Sequence, residues 1–237
     1  MEIWTLGTLE VSHDERAIDL HGHLPRRLLA LLSLAPGQEV RSDALVEDLW
    51  GLDAPASAAS TLQSHVARLR RALPDPAAVR TGRSGYLLDV DPEVVDAVRF
   101  DRLVREGHQQ LARGDAEGAG QRLRSALELW RGAPYAEFAG CAPLEQEAER
   151  LSALRLDALE GRISAELSRP GGVVPVAELE ALVRWHPLRE SFWTLLLAAL
   201  YRVGRQADAL AAYRRARTLL DEELGVEPGA ALQEMHR

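Results

Sequence analysis

Two neighbouring stretches decide the fold: Ser57–Leu73, SAASTLQSHVARLRRAL, and Val79–Leu88, VRTGRSGYLL. In the first, Leu62, Val66, Leu69 and Leu73 recur at helical spacing and make one apolar stripe. On a helical wheel the opposite side carries Ser60, Ser64, Ala67, Arg68 and Arg71. Thr61 and His65 lie on one flank of that face, Gln63 and Arg70 on the other. The helix is thus built to dock by one side and to offer small polar groups first and guanidinium groups last. A helix entering a DNA major groove needs that order, because small N-terminal residues let the backbone approach base edges and arginines reach bases or phosphates. The second stretch reads as a hairpin tipped by Gly82, Arg83, Ser84 and Gly85 and closed by Tyr86. Helix plus basic hairpin is the outline of a winged helix.

An arginine-rich face is commonly no more than a solvated face with ion pairs. Here acidic partners are scarce: between residues 60 and 85, Arg68, Arg70, Arg71, Arg80 and Arg83 stand against Asp75 alone. This local excess lies in an acidic background. The whole chain of 237 residues has a formal charge of −8, which argues against a protein coated with nucleic acid and for a contact confined to one face.

Working outward, residues 2–20 alternate loosely in hydrophobicity and read as three short strands. Pro25 opens a leucine-rich helix that Pro36-Gly37 ends. Gln38–Arg41 is a brief extended link, and Ser42 is placed to cap the helix DALVEDLW. Gly51–Pro55 is the loop before the organising helix. Residues 91–99 form a junction without the glycine and serine of a flexible tether. Beyond it the periodicity predicts helices over roughly 98–113, 115–131, 143–168, 176–186, 189–203 and 206–224. Leu197, Ala198 and Tyr201, followed by Ala207, Leu210, Tyr213 and Ala216, suggest a helical-repeat unit in which small residues allow close helix approach. Trp130, Trp185, Trp193, Tyr201 and Tyr213 are for the most part expected in the core.

Several chemistries find no support in the residues. There is no lysine, which removes a phosphate-loop lysine, a Schiff-base lysine and a lysine base. There is no asparagine, so Gln63 is the one amide on the reading helix. His21-Gly22-His23 lacks further ligands for a metal, and no cofactor motif is present. The single Cys141 has no sequence neighbour to activate it and no partner for a disulfide, which fits a reducing cytoplasm. No catalytic triad or paired-carboxylate motif is found, so an enzyme is not expected. The N-terminus carries no export signal, and no apolar run reaches membrane-spanning length.

RSDALVEDLWG, PASAASTLQSHVARLRRAL and VRTGRSGYLL resemble an OmpR-type winged-helix DNA-binding domain, in the version found in the Streptomyces antibiotic regulatory protein family. ALELWRGAPYAEF and the stretch from FWTLLLAALYRVGRQADAL to ALQEMHR are similar to that family's bacterial transcriptional activator domain. The wing reads TGRSGY where the family more often has Pro or Gly beside the final Gly-Tyr, and Ala67 replaces a polar or basic residue. The chain stops inside what should be a last helix, either as a fragment or as a short member. The resemblance implies a mainly α fold with a small β component: a winged helix over residues 1–92, then an all-α, tetratricopeptide-like domain over 98–237. It implies a cytoplasmic, nucleoid-associated activator of a secondary-metabolite cluster. Two copies would bind direct repeats of double-stranded promoter DNA and recruit RNA polymerase holoenzyme through its sigma factor.

The residues expected to touch DNA are Thr61, Ser64, His65, Arg68, Arg70 and Arg71 on the helix, with Thr81 and Arg83 on the wing. Leu52 and Asp53 in the loop are the expected polymerase contact. A second reading is a helical-repeat interaction module whose winged helix docks a protein; salt-dependent DNA binding separates the two.

Overall fold

The computed structural model describes residues 1–169 and 171–237, apart from the side chain of Leu52. The chain divides into two compact units. The first comprises residues 1–104 and 125–155, the second residues 105–124 and 156–237. This division by packing differs from the one read at residues 92–98, because 98–104 and 125–155 join the N-terminal part.

The first unit opens with the expected three strands, β1 (Glu2–Trp4), β2 (Glu10–His13) and β3 (Arg16–Ile18). They form an antiparallel meander with Ile3 opposite Val11 and Val11 opposite Ile18. Helix α1 (His23–Ser33) starts two residues before Pro25 and buries Leu28, Leu29, Leu31 and Leu32. Each fully buried leucine contributes about 1.5–3 kcal/mol of apolar transfer. Then come β4 (Val40–Arg41), α2 (Ser42–Trp50), a 3-10 turn over Gly51–Asp53 and α3 (Ala58–Ala72). Ser42 is the first residue of α2, not its cap: Arg41 holds the cap position and no side chain caps the helix there. Strands β5 (Val79–Thr81) and β6 (Gly85–Leu88) close the unit's second sheet, ordered β4-β6-β5.

A buried polar knot lies beneath the first sheet. Asp96, the first residue of α4 (Asp96–Ala112), is fully buried. Its carboxylate accepts hydrogen bonds from the Thr5 and Leu6 amides at 2.7 and 3.0 Å and from the Thr5 hydroxyl at 2.7 Å. Burial pushes the Asp96 carboxyl up despite these bonds. The loop after α5 (Ala116–Glu128) joins the same sheet: the Arg131 amide donates to the Leu6 carbonyl at 2.8 Å, and the Tyr135 amide to Thr5 at 2.9 Å. Glu137 accepts from the Leu9 amide at 2.8 Å and from Arg26 Nε at 2.7 Å. Burial opposes ionisation of Glu137, but the Arg26 guanidinium and the Leu9 amide together outweigh it and hold the carboxyl below its ordinary value.

The second unit takes parts of α4, α5 and α6 (Ala142–Ser168) with α7 (Val176–Trp185), α8 (Glu190–Arg202), α9 (Gln206–Leu224) and α10 (Ala230–His236). Its core holds Ile163, Leu179, Phe192, Trp193, Leu196 and Leu200, with Ala212 and Ala216 letting α9 approach α8. Trp193 is core as expected, whereas Trp185 and Tyr201 are exposed. Pro170 lies outside the described residues.

Candidate nucleic-acid interface

Helix α3 is held by its stripe. Leu62, Val66 and Leu69 are buried, and Leu73 just beyond the helix is buried too. The outward side exposes Ser60, Gln63, Ser64, Ala67, Arg68 and Arg71. The helix carries no acidic residue. The Ser60 hydroxyl donates to the Ser57 carbonyl at 2.9 Å and the Ser64 hydroxyl to Ser60 at 3.1 Å. These back-bonds use each hydroxyl hydrogen and leave oxygen lone pairs outward, able to accept from a base amino group. Among the described residues, Arg68 and Arg71 pair with no carboxylate; Arg71 Nε donates only to the Ala67 carbonyl at 3.2 Å.

The two flank positions behave differently from the wheel reading. Thr61 is half-buried and its hydroxyl donates to Ser57 at 3.0 Å. His65 is only 9 % exposed and lies 6.1 Å, ring to ring, from Trp50 at the end of α2. Its Nδ1 is buried without a hydrogen-bond partner among the described residues. Burial and the nearby Arg68 charge push the His65 imidazole down. His65 therefore belongs to the α2–α3 packing, and the structure corrects its assignment to the outward face. The cause is long-range: the indole that covers it comes from another helix.

Arg70 is also recruited inward. Its Nε donates to the Val79 carbonyl at 2.7 Å and its Nη2 to the Thr81 hydroxyl oxygen at 2.8 Å. Two residues expected to touch DNA separately are thus bonded to each other. Arg70 pins α3 to β5, and Thr81 keeps a hydroxyl hydrogen to donate outward. Arg80 pairs with Asp89 at 2.7 Å, which reduces the free positive charge of the hairpin.

The wing turn has a clasp that the sequence did not reveal. The Glu39 carboxylate accepts from the backbone amides of Arg83 at 3.2 Å and Ser84 at 2.5 Å, and from the Ser84 hydroxyl at 3.1 Å. These bonds lower the Glu39 carboxyl below its ordinary value, the Ser84 amide contributing most. Gly85 is required by the close approach of backbone, while at Gly82 the near neighbour is the end of the Glu39 side chain. A Cβ on Gly82 would lie 2.3 Å from the Glu39 carboxylate, and one on Gly85 1.8 Å from the Val40 carbonyl oxygen. With its amide used by the clasp, the Arg83 side chain is exposed at the tip and pairs with no carboxylate among the described residues. Asp53 is exposed, while the side chain of Leu52 lies outside the described residues.

No group of three or more His, Cys, Asp or Glu side chains among the described residues could hold a metal. His21 pairs with Asp19 at 3.4 Å. Cys141 is buried with its thiol 3.7 Å from the Asp48 carbonyl, and burial pushes that thiol up. No helix among the described residues is long and apolar enough to cross a membrane.

A winged helix with an acid-free outward helix, joined to helical-repeat packing, defines a transcriptional regulator of the two-domain kind. The comparisons with known proteins agree. Residues 16–88 match the family model described as transcriptional regulatory protein, C terminal, and residues 95–237 match the bacterial transcriptional activator domain. The chain belongs to the Streptomyces antibiotic regulatory protein family of transcriptional regulators. It is similar to the regulatory protein DnrI of Streptomyces peucetius, 38% identical over 99% of this chain and 90% of that one. It is 40% identical to the transcriptional regulator RedD of Streptomyces coelicolor, over 100% of this chain and 69% of that one. Among solved structures, Mycobacterium tuberculosis EmbR in complex with a low-affinity phosphopeptide superposes with a TM-score of 0.91 at 32% identity. That match covers 99% of this chain and 63% of the EmbR chain.

Proposed function

We propose that this chain is a transcriptional activator that binds double-stranded promoter DNA through α3 and the β5–β6 wing, and acts by contact, not by catalysis. The observation that carries this reading is the outward side of α3. It presents Ser60, Gln63 and Ser64 ahead of Arg68 and Arg71, with no acid on the helix and no carboxylate among the described residues holding either arginine. Small residues and Gln63 suit approach to base edges, and the unpaired guanidinium groups suit guanine edges or phosphates. Arg83 at the wing tip suits the adjacent minor groove or a phosphate, with Thr81 donating to the backbone. Arg70 holds the wing against the helix so that both reach the duplex together.

Residues 1–92 are assigned the DNA contact and residues 98–237 the activator role. Following the family, two copies sit on direct repeats about one turn apart, ~10–10.5 bp, and the target is a secondary-metabolite cluster read in the cytoplasm at the nucleoid. The exposed Asp53, with Leu52 beside it, would meet a basic patch on the sigma factor of RNA polymerase holoenzyme, steering more than binding. The test is a gel shift on promoter fragments from the gene's own chromosomal neighbourhood at several salt concentrations. Affinity should fall linearly on a log–log scale as salt rises. Binding that ignores salt, or no binding, would overturn the reading and leave the winged helix as a protein-docking module. Asp53→Arg should keep DNA binding and lower transcription with purified polymerase; normal transcription would remove the loop from the activating surface.

A further inference from the structure

Within the second unit, α4, α6 and α8 enclose an open cleft of about 560 Å³. Sites for small organic ligands have volumes of ~300–1,000 Å³ and form readily between the helices of a bundle. Each of the three helices turns one face to the cleft. Asp157, Glu160 and Ser164 stand at helical spacing on α6, and Ser191, Thr194 and Leu195 on the first turns of α8. His108 and Leu111 come from the end of α4, and α10 adds Ala231 alone.

The wall is rich in acceptors and poor in donors. Arg189 donates to Asp157 Oδ1 and to Glu160 Oε1, and the Ser191 hydroxyl donates to the same Glu160 oxygen. Among the described residues, no hydrogen bond reaches the second oxygens, Asp157 Oδ2 and Glu160 Oε2. The Thr194 hydroxyl donates to the Glu190 carbonyl at 3.1 Å. Ser191 and Thr194 have thus spent their hydrogens and keep lone pairs to spare. Two carboxylates share one guanidinium, and no guanidinium lines the cleft itself among the described residues. Nor are these acids needed to answer helix dipoles. Glu190 sits in the first turn of α8 and accepts from the Gly229 amide at 2.6 Å at the start of α10, so it serves both positive ends.

An anionic ligand would meet an excess of negative charge here and few donors. An ammonium group has the opposite character: it carries donors only, and its bonds to carboxylate oxygens belong to the strong, charge-assisted class. Leu111, Leu195 and Ala231 offer apolar surface to a hydrocarbon body. We propose that the α4–α6–α8 cleft binds a small organic ammonium compound, its nitrogen between Asp157 and Glu160 and its hydrocarbon part against Leu111 and Leu195. The site goes beyond the DNA contact, which uses residues of the first unit, and it is tested without DNA, so the two readings can fail separately.

The experiment is isothermal titration calorimetry of the full chain with phenethylammonium and with phenylpropionate, two probes of similar size and opposite charge. Phenethylammonium should bind saturably, one per chain, and about tenfold or more tighter than phenylpropionate. Methylammonium, which lacks the hydrocarbon body, should bind about tenfold or more weakly than phenethylammonium. Glu160→Gln keeps an oxygen for Arg189 and should weaken phenethylammonium about tenfold. Ser164→Arg, one turn from Glu160 on α6, brings a tethered guanidinium into the cleft and should abolish binding. Circular dichroism melts serve to show that both variants stay folded, and the contrast between probes on the parent stands without them. A parent that binds neither phenethylammonium nor phenylpropionate, or binds both equally, overturns the proposal. So does phenethylammonium binding that persists in folded Ser164→Arg, which would place the ligand elsewhere.

Discussion

Arginine serves opposite ends in two regions of this chain. Within the second unit, Arg162 is only 12% exposed at its side chain and is clamped between Glu166, at 3.0 Å, and Glu178. Arg189 is likewise shared between Asp157 and Glu160. On α3 and the wing, Arg68, Arg71 and Arg83 have no carboxylate at all among the described residues. The same side chain is structural where its charge is answered at home and available where it is not. Burial opposes the charge of Arg162, but Glu178 and Glu166 outweigh it and hold the guanidinium above its ordinary value. The two glutamates would be left facing each other if it were removed. Charge content alone therefore says little about partners; the informative quantity is charge that the fold leaves unanswered.

The largest effect should come from the clamped class. Arg162→Ala is expected to cost about 3 kcal/mol of stability in urea unfolding, the low end for breaking a buried pair, while the folded protein keeps its DNA affinity. Unchanged stability would erase the contrast. The opposite pattern is expected on α3. Arg68→Ala and Arg71→Ala should each weaken promoter binding by ~1–3 kcal/mol if they read a base, or lower the salt slope by about one unit if they hold a phosphate. Their unfolding free energies should stay within about 0.5 kcal/mol of the parent, as for surface sites. Parent-like binding by both would refute the proposed groove contact.

Arg70 sharpens the comparison because it belongs to neither class. Arg70→Ala removes two bonds to β5 and should lower stability by about 1 kcal/mol while also weakening DNA binding through a loosened wing. A binding loss with no stability loss would mean that Arg70 swings out to DNA. The smallest effect concerns His65. Its imidazole is pushed down by burial and Arg68, so the folded state holds fewer protons than the unfolded state near the ordinary value of 6.5. This group's stability contribution is present above that value and is lost as pH falls through the lowered folded value. Urea midpoints of the parent and of His65→Met, taken at neutral pH and at pH below 6.5, should diverge, with the parent losing more.

The sequence was most legible where a local period carried the signal. The Leu62–Val66–Leu69–Leu73 stripe, the three-strand meander and the span of α9 follow from spacing within a few turns or strands. What escaped depends on pairs distant in sequence. His65 lies on the outer flank of the wheel but beneath Trp50 in space. Arg70 and Thr81 look like two independent polar groups until the hairpin folds back onto the helix. Glu39 sits in a link with no periodicity, forty-four residues from the amide it clasps. Tyr135 and Glu137 lie in an irregular loop, so nothing local announces that they complete the N-terminal sheet. Unanswered charge is the part of the site that composition does foreshadow, since Asp75 is the one acid between residues 60 and 85.

The Glu39 clasp also bears on how this regulator could be re-engineered. The wing is not a portable cassette. Its turn takes shape from a carboxylate in the link before β4, and Gly85 leaves room for the backbone of residues 40 and 41. A chimaera that imports residues 79–88 from a relative to alter target choice must import the donor's residues 39–41 with them. Otherwise the graft carries a tip without its mould, and a failed swap would reflect misfit at the root and not the absence of sequence preference in the wing.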